Sequence, residues 1–250
     1  METLLLEIGA EEIPAGYIEP ALNALSAILL QKLKEERIEH GEAKTFGTPR
    51  RLSIMVAGVS TRQAPLTIEV TGPPEKAGFD SAGQPTVAGK KFAEKMGIPV
   101  KSIRVKQTEK GSYLCAVKTD PGLESKVVFK NMLPQVIAAI PFPKVMKWAD
   151  LDVKFARPVQ SILALFGKQV ISFELGNIKS GRHTFGHRFL HAGKIRISHP
   201  DEYVKKLRSA LVLVDIDERE NDIKKHISEI AAKRCEAARG FDRRRRPVDT

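Results

Sequence analysis

Between Ile18 and Leu33 the apolar residues Ile18, Ala21, Leu22, Leu25, Ile28, Leu29 and Leu33 recur at steps of three and four. That spacing lines one face of an α-helix, predicted to end near His40-Gly41. Immediately upstream, Leu4 to Ile8 is a short apolar run closed by Gly9, the pattern of a buried strand. A strand buried on both faces followed by a long one-faced helix requires a sheet with a helix laid on it. The rest of the chain keeps this mixture. Strands are predicted at Leu52–Val59, Leu66–Val70, Val170–Leu175, Ile195–Ile197 and Leu211–Val214, and a hairpin from Ser102–Gln107 and Tyr113–Lys118. Helices are predicted from Thr86 to Gly97, from Val127 to Ile140 across Pro134, from Pro158 to Phe166, from Pro200, and from about Glu218. Gly72 to Pro85, rich in Gly and Pro, reads as an exposed loop, and Thr45 to Arg51 as a basic turn. The class is α+β (mixed α/β): interleaved strands and helices, mixed sheets with flanking helices, and more than one subdomain.

With 250 residues, 42% of them hydrophobic, the chain can bury a sizeable core. Its formal net charge of +11 favours a polyanionic partner over an acidic protein surface. Two distant cysteines, Cys115 and Cys235, make neither a disulfide framework nor a zinc site by themselves. No apolar run reaches the roughly 18 residues of a membrane span. Glu2 and Glu7 put acid where a signal peptide needs positive charge, so a cytoplasmic protein is expected.

The chemistry-bearing residues concentrate around Thr184-Phe185-Gly186-His187-Arg188-Phe189, with Arg182, His183 and His191 alongside. Imidazole and guanidinium groups among apolar anchors suit gripping an anion, and the planar fork of arginine matches phosphate oxygens. A strand pair with a tight turn and solvated basic residues explains the same local sequence equally well. His183, His187 and His191 are four apart, but Gly186 interrupts a helix and Arg182 and Arg188 repel a dication, so no metal is expected. There is no Gly-x-Ser-x-Gly elbow, Cys115 reads as a packed thiol, and neither glycine-rich nucleotide loop occurs. No catalytic residue is expected. Glu11 and Glu12, adjacent carboxylates ahead of a helix, are read as favouring its positive end. What remains is binding. Arg50, Arg51, Lys147, Arg157, Arg182, His187 and Arg188 are the phosphate candidates, with Lys144 a further cation, and Arg50 and Arg188 lead because they sit in turns beside Pro and Gly. Trp148 and Phe46 offer stacking surfaces, though core packing is the commoner role for either.

Six segments in order then carry a resemblance. They are Leu5–Pro14 (LLEIGAEEIP), Phe46–Leu52 (FGTPRRL), Thr71–Pro74 (TGPP), Pro143–Trp148 (PKVMKW), Phe155–Pro158 (FARP) and Thr184–Phe189 (TFGHRF). Together they resemble the amino-terminal part of the beta subunit of the bacterial tetrameric glycyl-tRNA synthetase, from Met1 to about Ala232. Lys147 stands where that family usually has Arg, and Gly47 and Ala10 replace other small residues.

The resemblance implies a subunit of an enzyme that attaches glycine to tRNA(Gly) at the expense of ATP. Two alpha and two beta subunits would assemble, with ATP, glycine and magnesium held by the alpha subunit and no cofactor by this chain. The beta subunit would contribute tRNA binding and assembly. The family's longer beta subunit implies that this is its amino-terminal region, residues 1–232, with possible subdomains 1–71, 72–150 and 151–232. Residues 233–250, which hold the basic run Arg243 to Arg246, read as a disordered tail outside the resemblance. A stand-alone RNA-binding or assembly module using the same basic surface is the alternative.

Overall fold

A computed structural model of the chain describes residues 1–80, 83–108, 111–147 and 153–243, and side chains as far as Arg234. Along the chain, β1 (Glu2–Ala10), α1 (Ala15–Glu35), β2 (Ala43–Thr48) and β3 (Arg51–Val59) come first. They are followed by β4 (Leu66–Pro74), α2 (Glu75–Gly78), α3 (Val87–Met96), β5 (Arg104–Thr108) and β6 (Gly111–Asp120). Then come α4 (Ser125–Ala138), β7 (Met146–Lys147), β8 (Lys154–Phe155), β9 (Val159–Phe166), β10 (Gln169–Val170), β11 (Glu174–Leu175) and β12 (Ile178–Gly181). The last elements are β13 (His183–Phe185), β14 (Lys194–Arg196), α5 (Tyr203–Ser209) and α6 (Ile216–Arg243). This is the expected α+β class. Among the described residues no helix is long and apolar enough to cross a membrane.

Two compact units result, Met1–Thr61 with Ser125–Thr250 and, between them in sequence, Arg62–Glu124. The boundaries therefore fall at 61/62 and 124/125, whereas the sequence suggested 71/72 and 150/151. The loop-like Gly-Pro composition of Gly72 to Pro74 lies inside β4, which marks no boundary.

In the larger unit the sheet order is β11-β12-β9-β1-β3-β2, with β10 beside β9. Strand β1 is central and antiparallel to both neighbours, β3 and β9. Alternation along β1 sends Leu4, Leu6 and Ile8 to one face, where Leu25, Leu29 and Leu33 of α1 and Phe129 and Leu133 of α4 cover them. The other face carries Leu5, Leu163 and Leu165 under Ile197, Tyr203, Leu207 and Val214. Glu7 is on that second face, 2% exposed.

The smaller unit is an antiparallel sheet, β4-β6-β5, whose Leu114 and Ala116 pack against Phe92 of α3. Thr86 caps α3 by accepting the Gly89 N–H, and Gly97 closes it at φ 68°, both as the sequence predicts. Cys115 is buried, and burial, then the neighbouring Glu69, pushes its thiol above the ordinary value, the state of a packed cysteine. Cys235 lies beyond the described side chains.

Several elements differ from expectation, each for a physical reason. Helix α1 ends at Glu35, five residues early: Arg37 turns left-handed at φ 57° and the Ile38 N–H bonds back to the Leu33 carbonyl at 2.9 Å. That is a Schellman-type stop with buried Ile38 as its apolar contact. The predicted helix from Pro158 is strand β9. An eight-residue run with Ile162, Leu163, Ala164, Leu165 and Phe166 in succession is buried on both sides, and such a run satisfies either period. The predicted strand at Leu211–Val214 is not one, because Leu211 sits at φ 62° and breaks an extended path. Val170–Leu175 divides into the short β10 and β11. Thr45–Thr48 belongs to β2, so the basic turn shrinks to Pro49-Arg50. Between Gly72 and Pro85, β4 and α2 replace an open loop. Pro134 stays within α4, and the Lys130 carbonyl it leaves without a helical donor is on an exposed residue. The backbone of residues 233–243 continues α6, and residues 244–250 lie outside those described.

Phe129 is fully buried, with its ring edge-on to Phe166 at 5.2 Å between centroids, whereas Ile227 on α6 is 61% exposed. Phe129→Ala is expected to lower unfolding free energy by about 3–5 kcal/mol. Ile227→Lys should stay within about 0.5 kcal/mol of the parent. Urea denaturation of the two variants checks the placement of the core.

Candidate nucleic-acid interface

The site starts from the second face of β1. Glu7 pairs across the sheet with Ser53 of β3 and Leu163 of β9, and Gly9 pairs with Arg51 and Ser161. Directly paired residues project to the same face, so Glu7, Gly9, Arg51, Ser53 and Ser161 form one polar area on an otherwise apolar sheet. Chain segments from far downstream close over it. The Thr184 hydroxyl donates to Glu7 Oε1 at 2.6 Å and the Tyr203 hydroxyl donates to Oε2 at 2.6 Å. With the tyrosine proton given to Glu7, Ser53 Oγ is left to donate to Tyr203 Oη, also at 2.6 Å. Burial, and then the charge of Glu7, hold the Tyr203 phenol well above its ordinary value. Arg51, 7% exposed, donates from Nη2 to the Phe185 carbonyl at 2.9 Å and so fastens the end of β13 to the start of β3. Its Nε and Nη1 are buried and find no acceptor among the described residues.

Beside this network opens a cavity of about 330 Å³ lined by Arg50, Arg51 and Arg188, with Glu7, Glu11 and His191 also on its wall. Two backbone features shape it. The Ala10 N–H donates to the Arg50 carbonyl at 2.9 Å and the Glu11 N–H to the Pro158 carbonyl at 3.0 Å, which draws three of the motifs together. Gly186 packs so closely that a Cβ there would stand 2.7 Å from His191 Nδ1 and 2.8 Å from the Ala210 Cβ, and the His187 N–H reaches the Ala210 carbonyl at 2.9 Å. Only glycine fits that approach without displacing α5's last turn.

Of the seven candidate residues, the structure brings Arg50, Arg51 and Arg188 to one cavity. Arg50 also pairs with Glu11 at 3.3 Å, so Glu11 answers an arginine; it lies ahead of α1's first turn, which holds no acid, and is not placed on the positive end of the helix. Arg157 donates from Nε to the Glu12 carbonyl at 3.1 Å and stays outside the lining. Arg182 donates to the Lys168 carbonyl at 3.2 Å. His187 accepts the Phe189 and Leu190 N–H groups on Nδ1 at 3.3 and 3.2 Å, which makes it the cap of a turn, and it stays outside the lining of this cavity. Lys147 is on β7, apart from the cavity lining, and Lys144 is exposed just before it. Phe46 is core, 3% exposed with its ring 6.0 Å from that of Tyr203, and Trp148 lies outside the described residues. Sequence reasoning missed Glu7, Ser53, Thr184 and Tyr203. The available signal was a lone carboxylate inside the apolar run Leu4–Ile8, which burial can retain only with donors around it.

This is an α+β chain whose cavity beside Glu7 is lined by arginines rather than by a glycine-rich nucleotide loop. A family model for the glycyl-tRNA synthetase beta subunit matches residues 4–241, and the chain belongs to that family. A glycine–tRNA ligase beta subunit of Desulfatibacillum aliphaticivorans is 49% identical over 231 residues, covering 92% of this chain and 34% of the relative. One from Desulforapulum autotrophicum is 47% identical over 235 residues, 94% of this chain and 34% of the relative. One from Myxococcus xanthus is 41% identical over 230 residues, 92% and 33% respectively. The chain thus spans about a third of the length of these curated relatives.

Tyr203→Phe removes a donor from a buried carboxyl group and should cost about 1–3 kcal/mol at neutral pH. Its pH dependence has a definite sign. Above about pH 10 an unfolded phenol gives up its proton while the folded, raised one keeps it, so the parent loses stability as pH rises. The Phe variant lacks that contribution, so the gap between the two should narrow from pH 8 to pH 10.5 in urea titrations. A gap that widens would contradict the buried, protonated phenol.

Proposed function

We propose that this chain serves as the tRNA-binding and assembly region of a glycine–tRNA ligase beta subunit, acting in the cytoplasm with a catalytic alpha subunit in a two-alpha, two-beta enzyme. ATP, glycine and magnesium are the alpha subunit's ligands, and this chain holds no cofactor and no catalytic residue. One observation carries the reading: Arg50, Arg51 and Arg188, from two sequence motifs far apart in the chain, line one cavity, with two nitrogens of Arg51 lacking an acceptor among the described residues. A buried N–H without an acceptor costs about 1–3 kcal/mol, and an incoming phosphate oxygen relieves that cost. The net charge of +11 adds long-range attraction for a polyanion.

Binding of tRNA(Gly) to the purified chain should weaken steeply with salt, because each phosphate contact releases counterions. Arg188→Ala and Arg50→Ala should each weaken it and flatten the slope of log K against log salt by roughly one. Fluorescence anisotropy from 50 to 300 mM salt, with circular dichroism to confirm the fold, reads both. Unchanged slopes would assign the two arginines to structure alone.

Division of labour predicts a second outcome. Incubated with glycine, ATP and magnesium, the chain alone should give no pyrophosphate exchange above background, and a tagged chain should retain the alpha subunit in a pull-down. Exchange by the chain alone would overturn the division of labour itself, whereas failure to retain the alpha subunit would remove the assembly half of the proposal and leave a separate RNA-binding module.

A further inference from the structure

A second cavity, of about 310 Å³, adjoins the first and shares Gln160, Ser161 and Phe185 with it. Lys179 of β12 and Lys194 of β14 stand on its wall, both exposed, and none of the described residues lining it is acidic. In the first cavity three guanidinium groups face the carboxyl groups of Glu7 and Glu11, a formal excess of one positive charge. Glu7 is nearly sealed, with both oxygens engaged by hydroxyls, and Glu11 is engaged by Arg50. Each cavity therefore offers a local cationic excess of the size that answers one or two phosphodiesters, and between them stands an aromatic ring. Phe185 is 41% exposed, and its backbone is fixed by the Arg51 bond to its carbonyl. Phe189, next to Arg188 of the first cavity, is 81% exposed, with the Arg188 guanidinium 5.7 Å from its ring centroid.

We infer that the two cavities form one track for an unpaired RNA strand, with successive phosphates at the arginine and lysine pockets and bases against Phe185 and Phe189. Alternating cations and exposed rings suit a single strand, since a duplex keeps its base faces stacked internally and offers no ring surface to either phenylalanine. A carboxylate-bearing peptide would satisfy the cations but leave both rings without a matching flat partner. The inference rests on the tRNA-binding reading above and narrows it to the unpaired parts of the molecule.

The test titrates the chain with a labelled octauridylate, a labelled RNA duplex of the same length, and tRNA(Gly). The octauridylate should bind at least tenfold more tightly than the duplex at 50 mM salt. Phe185→Ala and Phe189→Ala should each weaken octauridylate by roughly tenfold, as loss of one stacked base does, and leave the duplex unchanged. Phe189→Trp should keep or improve affinity, which separates stacking from a packing role. The double variant Lys179→Ala/Lys194→Ala should flatten the octauridylate salt slope by roughly one to two. If tRNA binds but the phenylalanine and lysine variants behave like the parent, the track is wrong while RNA binding stands. Equal losses on duplex and single strand overturn it likewise. Absence of tRNA binding by the parent chain would defeat the functional reading itself.

Discussion

A carboxyl group sealed inside a sheet face demands donors, and the way Glu7 obtains them organises the larger unit. Its two oxygens draw a threonine from β13 and a tyrosine from α5, segments that follow it by 177 and 196 residues. Hydrogen bonds to a charged acceptor are among the stronger ones in proteins, and in a dry environment their loss is more expensive than their presence is stabilising. The hairpin β13–β14 and helix α5 consequently cannot settle on the sheet in any other register without stranding Glu7. Their docking in turn delivers Phe185 to Arg51 and Arg188 to the cavity mouth. A group that contributes little to binding thus fixes where the binding residues stand.

Much of the fold was legible because its signals were local. The seven-position apolar stripe of α1, the cap at Thr86 with its glycine stop, and the β5–β6 hairpin all follow from nearest-neighbour chemistry. The failures were those where tertiary context decides. Strand β9 reads as helix because a short, fully buried run has no polar side to reveal its period. At Leu211 a leucine takes a left-handed turn that nothing in its side chain announces. Of the site, the cations were visible as residue types in turns, but which of them meet was not. Arg157 and Arg182 look like Arg50 and Arg188 in sequence, yet each donates to a backbone carbonyl outside the cavity lining, and His187 caps a turn through its Nδ1. Only the packing of hairpin on sheet distinguishes them.

The balance of charge around the first cavity also bears on selectivity. Arginines without nearby acid hold any anion, including solvent ions, and gain little from shape. Here Glu11 partly neutralises Arg50, and Arg51 is committed through one nitrogen to a carbonyl, so the remaining capacity is small and directional. A ligand must present its oxygens at the right angle to profit from it. Such restraint fits a chain whose overall charge already attracts every polyanion in reach.

The stretch Arg62–Glu124 leaves and rejoins the larger unit at one point. Arg62 bridges Glu124, the Gln63 N–H meets the Leu123 carbonyl at 2.9 Å, and the Ser125 N–H meets the Thr61 carbonyl at 2.9 Å. To the seven-stranded sheet, therefore, those 63 residues amount to a closed stem: whatever their length or content, the ends arrive side by side. Selection can reshape, lengthen or exchange this appendage as a cassette while the sheet that carries the arginines keeps its register, so the two parts of the chain are free to evolve at different speeds.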